Sequence, residues 1–222
     1  MSTEEPARPR GRRTRARILD QAVTLFARQD YAAVSVAEIA RSAGAHPHQV
    51  TYYFGSKDAL FVEAAFLLLL REARRLEPIG LRRRTPAAFR SALARTTLGL
   101  PAVPVAVRAM SISRLRPELH AVAQQHLAVL FRQAEHYLTG VLERRDWVID
   151  RPVEVEVRTF WSAVLGARLI SESGYGGHST EIDVAGVLTV RTRQPIGPAR
   201  TFQRPEDTPW TTADANERQL SR

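Results

Sequence analysis

The side chains best suited to specific chemistry crowd into one short stretch, SVAEIARSAGAHPHQVTYYFGSKDAL, from Ser35 to Leu60. His46, Pro47, His48, Gln49, Thr51, Tyr52, Tyr53 and Lys57 follow one another there with almost no gap. The chemistry they offer is recognition rather than catalysis. Glutamine bonds bidentately to adenine, and histidine donates to the acceptors of guanine. His48 and Gln49 are therefore the best readers of a base edge. His46 can read a base edge or bond a phosphate, Pro47 can pack on a thymine methyl, and Thr51 can do either. Tyr52, Tyr53 and Lys57 suit backbone phosphates, and Ser35, Arg12 and Arg13 complete the phosphate set. For Tyr53 the alternative of a packed aromatic with a local hydroxyl partner stands equally. Val50 and Phe54 read as core.

Such side chains work only if rigid elements aim them. Ser35 fits the N-cap of a short helix running to Ser42, with Glu38 placed to close a capping box. Val36, Ile39, Ala40 and Ala43 give that helix one apolar face. Gly44 stands where the chain must turn sharply without a Cβ. Pro47 opens a second helix, to Phe54, at the position where proline fits best. Ser56 then caps a third, in which Lys57 meets the backbone N–H groups that favour anions. Two helices about a tight turn present the second of them to the major groove of DNA.

In order and spacing, Leu25 and Phe26, Ser35, Ala43 and Gly44, Tyr52 to Phe54, and Gly55-Ser56-Lys57 resemble the N-terminal signature of the TetR family of transcriptional regulators. The resemblance spans roughly residues 12 to 65 and departs at two positions. His46 stands where the family usually has a small hydroxyl cap, and Thr51 where it often has a phosphate-contacting tyrosine. In the family, the residues matching Tyr52 and Lys57 commonly touch phosphate. The resemblance implies an all-α fold of about nine helices: a helix-turn-helix domain, then a larger effector-binding and dimerisation domain.

The remaining chain is consistent with that plan. Residues 1–11 read as a flexible basic arm, suited either to a neighbouring minor groove or to plain solvation. The DNA-binding domain takes residues 12–56, the larger domain 57–193, and a disordered tail 194–222. A first helix is expected over 14–29 and a long one over 57–76, with Pro78 and Gly80 as breakers. Further helices are expected over 87–99, 105–115, 117 to about 140, 152–169 and 181–192, the last also permitting a strand. Arg82 to Arg84 read as a solvated turn.

By resemblance, the central helices enclose a pocket. Its candidates are Phe66, Leu70, Phe89, Leu93, Arg108, Met110, Ser111, Gln124, Leu127, Phe131 and Trp161, with His120, His126, Gln133 and Tyr137 as polar groups of either pocket or surface. The last two helices are expected to form a four-helix dimer interface through Val157, Trp161, Val164, Leu165, Arg168, Val184, Val187 and Leu188. Trp161 can equally fill the protomer core.

Composition narrows the rest. The chain has no cysteine, so it holds no disulfide and no thiolate zinc site. Its formal net charge of +9 favours a polyanionic partner. The longest apolar run, Ala64 to Leu70, is too short to span a bilayer. The N-terminus lacks the pattern of a secretory signal, so a cytoplasmic location is expected. No phosphate loop, nucleophile motif or metal-ligand spacing is present, so neither catalysis, cofactor nor metal is expected. The expected function is a repressor that binds a palindromic operator in double-stranded DNA as a homodimer and is released by a small hydrophobic effector, without membrane contact. An effector-free or partner-controlled regulator, or an activator, is the alternative.

Overall fold

A computed structural model of the chain describes residues 9–174 and 182–193. Its helices are α1 (Pro9–Phe26), α2 (Val36–Ser42), α3 (Pro47–Phe54), α4 (Lys57–Ala73), α5 (Glu77–Arg82), α6 (Pro86–Leu98), α7 (Ala102–Leu115), α8 (His120–Arg145) and α9 (Val153–Glu172). Two-residue strands β1 (Trp147–Val148) and β2 (Arg191–Thr192) pair antiparallel. The all-α expectation therefore holds.

Capping residues start the elements where the sequence places them. Ser35 Oγ accepts from the Glu38 N–H at 3.1 Å, and Ser56 Oγ from the Ala59 N–H at 3.0 Å. The capping box at Ser35 is only half made, because the Glu38 carboxylate accepts from Gln29 instead, at 3.3 Å. Thr85 caps α6 at the Ala88 N–H, and a carboxylate oxygen of Glu72 on α4 accepts from the first N–H of α7 at 3.0 Å. Gly44 takes a φ of 57°, the left-handed turn that a Cβ disfavours.

One core runs through both expected domains. Ile18, Phe26, Ile39, Val50 and Phe61 fill the N-terminal part; Phe66, Leu69, Phe89, Leu130 and Trp161 fill the larger one. Helix α4 belongs to both, since Leu60 and Phe61 face the first and Phe66 and Leu69 the second, all fully buried.

Three expectations are corrected. First, α1 starts at Pro9, so residues 9–11 of the expected arm, with Arg12 and Arg13, are helical; residues 1–8 lie outside the described residues, as does the tail 194–222. Second, a helical turn passes straight through Pro78 and Gly80. Proline fits a first turn, and Gly80 serves a close approach: a Cβ there would stand 2.3 Å from Val141 Cγ2 on α8.

Third, no helix covers 182–192. That segment turns at 184–187 and ends in β2. Its anchor is Glu156, fully buried at the start of α9. The Glu156 carboxylate pairs with Arg151 Nε at 2.6 Å and accepts from the Thr189 N–H and hydroxyl. Arg151 also donates to the Val187 carbonyl, and Arg90 to the Leu188 carbonyl at 3.0 Å. With Val184, Leu188 and Val190 buried, the segment is a strap laid on its own subunit.

Candidate nucleic-acid interface and effector cavity

Helix α3 divides its residues between two faces. Val50 and Phe54 are buried beneath it, while His46, Pro47, His48, Thr51 and Tyr52 are exposed in one row, Tyr52 by 80%. The His46 and His48 rings stack at 5.7 Å. Gln49 is half-buried, and its Oε1 accepts from the His46 N–H at 2.9 Å. The residue that replaces the usual hydroxyl cap thus borrows its cap from Gln49. Of the Gln49 amide, Nε2 and the second lone pair of Oε1 remain to meet a base, so the cap and an adenine contact can coexist. Tyr53 is half-buried; its ring meets Tyr52 edge-on at 5.0 Å and lies beside Gly11 of α1. The Arg15 guanidinium covers Phe54 at 4.6 Å and pairs with Glu63 of α4 at 2.6 Å. These contacts hold α3 rigidly against α1 and α4.

Lys57 does not point freely outward. Its Nζ donates to the Tyr31 carbonyl at 2.7 Å and lies 4.2 Å over the Tyr31 ring. Tyr31 in turn donates its hydroxyl to Asp58, and Asp58 pairs with Arg116 at 2.7 Å. Burial, with the Asp58 hydrogen bond and charge, pushes the Tyr31 phenol up to about 12.

Arg108, expected in a pocket, instead pairs with Asp30 in the loop after α1, and its hydrogen bond holds that carboxyl below its ordinary value. Two arginines, one on α7 and one just past its end, thus bond aspartates on either side of Tyr31. Phe26, Tyr31, Pro104 and Arg108 line an open polar cleft of about 430 Å³ beside them.

The expected pocket residues separate into two spaces. Leu70, Leu93 and Trp161 line a cavity of about 100 Å³ between α4, α6, α8 and α9, with Leu130, Val157 and Phe160. Leu188 of the strap closes one wall; Arg74, Glu77, Gln133 and Tyr137 supply polar atoms. The Tyr137 hydroxyl is already used, accepting from the Gly80 N–H at 3.1 Å and donating to the Leu76 carbonyl at 2.9 Å. Its burial raises the phenol to about 12.

Met110, Ser111, Leu127 and Phe131 line a separate open groove between α7, α8 and α9, of about 530 Å³. Phe66 and Phe89 are buried core residues, against His126 at 5.9 Å and Trp147 at 5.6 Å. Gln124 and His120 are exposed. Val157 and Phe160 were accessible to sequence reasoning as apolar positions of one helix; Leu188 as a wall was not, because its strap reads equally as a helix.

The expected dimer residues are corrected too. Val157, Trp161, Val164, Leu165, Val184 and Leu188 are all buried inside one protomer rather than presented on an outer face, Leu165 reaching only the wall of the α7–α8–α9 groove. Val187 is half-buried, and Arg168 pairs with Glu172 along α9 at 3.0 Å. The apolar side chains that α9 leaves exposed are Val155, Leu169 and Ile170.

No group of three or more metal-ligating side chains gathers among the described residues, and none of their helices alone is long and apolar enough to cross a membrane.

A helix-turn-helix unit sharing a helix with a larger, cavity-bearing helical domain defines a DNA-binding regulator. Two family descriptions match: bacterial regulatory proteins of the tetR family over residues 18–64, and bacterial transcriptional repressor C-terminal over 86–189. The chain belongs to the TetR family of bacterial transcriptional regulators. A solved Rhodococcus sp. RHA1 protein described as a transcriptional regulator is 34% identical, with a TM-score of 0.64 over 78% of this chain and 93% of that one. Escherichia coli NemR in its reduced form shares the fold at 16% identity and TM-score 0.56, over 82% of this chain and 100% of its own. Bacillus subtilis FadR in complex with stearoyl-CoA does so at 15% and 0.51, over 78% and 97%. No curated protein matches the chain.

Proposed function

We propose that the chain is a ligand-responsive repressor that binds a palindromic operator as a homodimer and is released by a small, largely hydrophobic effector. The observation that carries this reading is α3, buried along Val50 and Phe54 and exposed along His46, Pro47, His48, Thr51 and Tyr52. That row is short and polar enough to enter a major groove. His48 and the free amide nitrogen of Gln49 read base edges; His46, Pro47 and Thr51 adjust the fit. Tyr52, Tyr53 and Ser35 contact phosphates, and so does Lys57 with the donor hydrogens that Tyr31 leaves over.

One such unit reads few bases, so a palindrome read by two copies fits it best, with recognition helices about 34–36 Å apart. The exposed Val155, Leu169 and Ile170 on α9 are the apolar contact through which a second copy would dock. The repressor sense follows the C-terminal description. The apolar cavity with its few polar groups supports an effector. FadR holds stearoyl-CoA in the same fold; a space of about 100 Å³ here suits a compound nearer one ring in size. Such a regulator acts where the chromosome is, in the cytoplasm.

Footprinting on the DNA upstream of the protein's own gene, repeated against a panel of small molecules, tests the reading. A protected palindrome released by one compound is expected. Protection of a site without dyad symmetry would overturn the homodimer reading, and protection that no compound relieves would overturn the effector.

A further inference from the structure

The arginines of α1 are not scattered once the helix is seen to start at Pro9. At about 100° per residue, Arg10, Arg13 and Arg17 fall within an arc of about 60°, whereas Arg12 lies about 130° away from its centre. All three are exposed, and none has an ion-pair partner among the described residues. Arg15 differs, being spent on Glu63 and on the Phe54 ring, whereas Arg12 is exposed and unpaired among the described residues like the three but lies off their arc.

One contact orients helix α1 against α3, and a second, made by a residue of the stripe itself, places the stripe. Tyr53 sits beside Gly11, with its hydroxyl 3.3 Å from the place a Cβ would take. Arg17 Nη2 donates to the Gly44 carbonyl at 3.4 Å. Gly11 thus neighbours the far end of α3, and Arg17 the turn that enters it. The first two turns of α1 run antiparallel to the recognition helix, with Gly11 on the side that meets it, about 130° from the stripe's centre, and the stripe reaches the turn before α3 through Arg17.

We infer that Arg10, Arg13 and Arg17 form a second, sequence-independent contact with DNA, a row of cations bound to backbone phosphates flanking the groove that α3 enters. The inference rests on the DNA-binding reading above and goes beyond it in surface and mode. The N-terminal basic residues act from a rigid helix instead of from a loose arm, and Arg12 is outside the contact. A rigid row costs little conformational entropy on binding and fixes the register of α3 on the duplex, which is what phosphate contacts do. Guanidinium groups suit the task because they bond phosphate oxygens bidentately.

The test needs no operator, since phosphate contacts dominate non-specific binding. The full chain is titrated with a mixed-sequence 30-base-pair duplex over a range of salt, and the slope of log K against log salt is read. Each lost phosphate contact lowers the slope by about 1. Arg10→Gln with Arg13→Gln, which leaves the Gly44 contact intact, should lower it by about 2 per subunit, and adding Arg17→Gln by about 3.

Two variants control for charge alone. Arg12→Gln and the triple change Arg82→Gln, Arg83→Gln, Arg84→Gln should leave the slope unchanged. Equal losses from the loop triple would overturn the inference in favour of bulk charge. A loss from Arg12→Gln matching that from Arg13→Gln would restore the loose arm. An unchanged slope in the Arg10/Arg13 pair would overturn it outright. If the wild-type chain binds no duplex, the DNA-binding reading itself fails; if it binds and only these variants are silent, the stripe alone does.

Discussion

At the level of single residues, the two tyrosines with displaced titrations tie helices together. Tyr137 on α8 satisfies one backbone donor and one acceptor of the α4–α5 bend. Tyr137→Phe strands both, so it should cost about 1–3 kcal/mol, read by denaturant unfolding. The folded phenol titrates near 12, above its ordinary value of 10. Its stabilisation is therefore complete below pH 10 and is lost as pH rises toward 12. Tyr31, raised first by burial and then by Asp58, behaves alike. Wild-type stability should fall between pH 10 and 12, and the Phe variants should fall less steeply. Parallel curves for all three proteins would refute this account.

His126 works at the opposite edge of the pH range. Burial against Phe66 holds it below its ordinary value of 6.5. A base harder to protonate when folded contributes stability above pH 6.5 and loses it as pH falls below that. Unfolding midpoints of wild type and His126→Gln should accordingly converge on acidification from pH 7.5 to 5.5. Divergence would place the histidine in a favourable, charged setting.

Among the elements, the strap after α9 shows why some structure was legible in the sequence and some was not. Helices α2, α3 and the start of α4 announce themselves, because Ser35, Gly44, Pro47 and Ser56 are local signals that act within one turn. The exposed row of α3 follows from the same spacing. Residues 182–192 carry no such signal; their conformation is decided by Glu156 and Arg90, 33 and 98 positions away. A buried carboxylate that must be paired overrides a weak helical propensity. The same blindness put Arg108 in a pocket, since nothing local reveals Asp30 as its partner 78 residues back, and sent Lys57 outward when Tyr31 holds it.

The prediction at this scale concerns the strap. Glu156→Gln keeps the shape but removes the charge beside Arg151 and weakens the acceptor for Thr189. Amide exchange over 184–192 should accelerate at least tenfold while α2 and α3 keep their protection. Uniform acceleration through the whole chain would mean that the strap is not a separate unit of stability.

For the molecule as a whole, the open question in the proposed function is how an occupied cavity would reach α3, which shares no wall with it. Helix α4 runs from Lys57, under the recognition helix, to Leu70 in the cavity wall. A single unbroken helix transmits tilt, but only if something holds the other side of the DNA unit for it to pivot against. Helix α7 supplies that hold through Arg108–Asp30, while Arg116, just past its end, grips the lever itself at Asp58 in the first turn of α4. Coupling requires the ligand to favour one arrangement of this frame over another.

Binding and linkage should therefore separate by mutation. Ala134→Leu adds three carbons to the cavity wall; it should abolish the thermal shift produced by any compound that raises the wild-type midpoint, yet leave operator protection intact. Arg108→Gln with Arg116→Gln should keep both the thermal shift and the protection, while the compound no longer releases the DNA. If the double variant still releases it as the wild type does, α4 alone carries the signal and the α7 ion pairs are only surface chemistry.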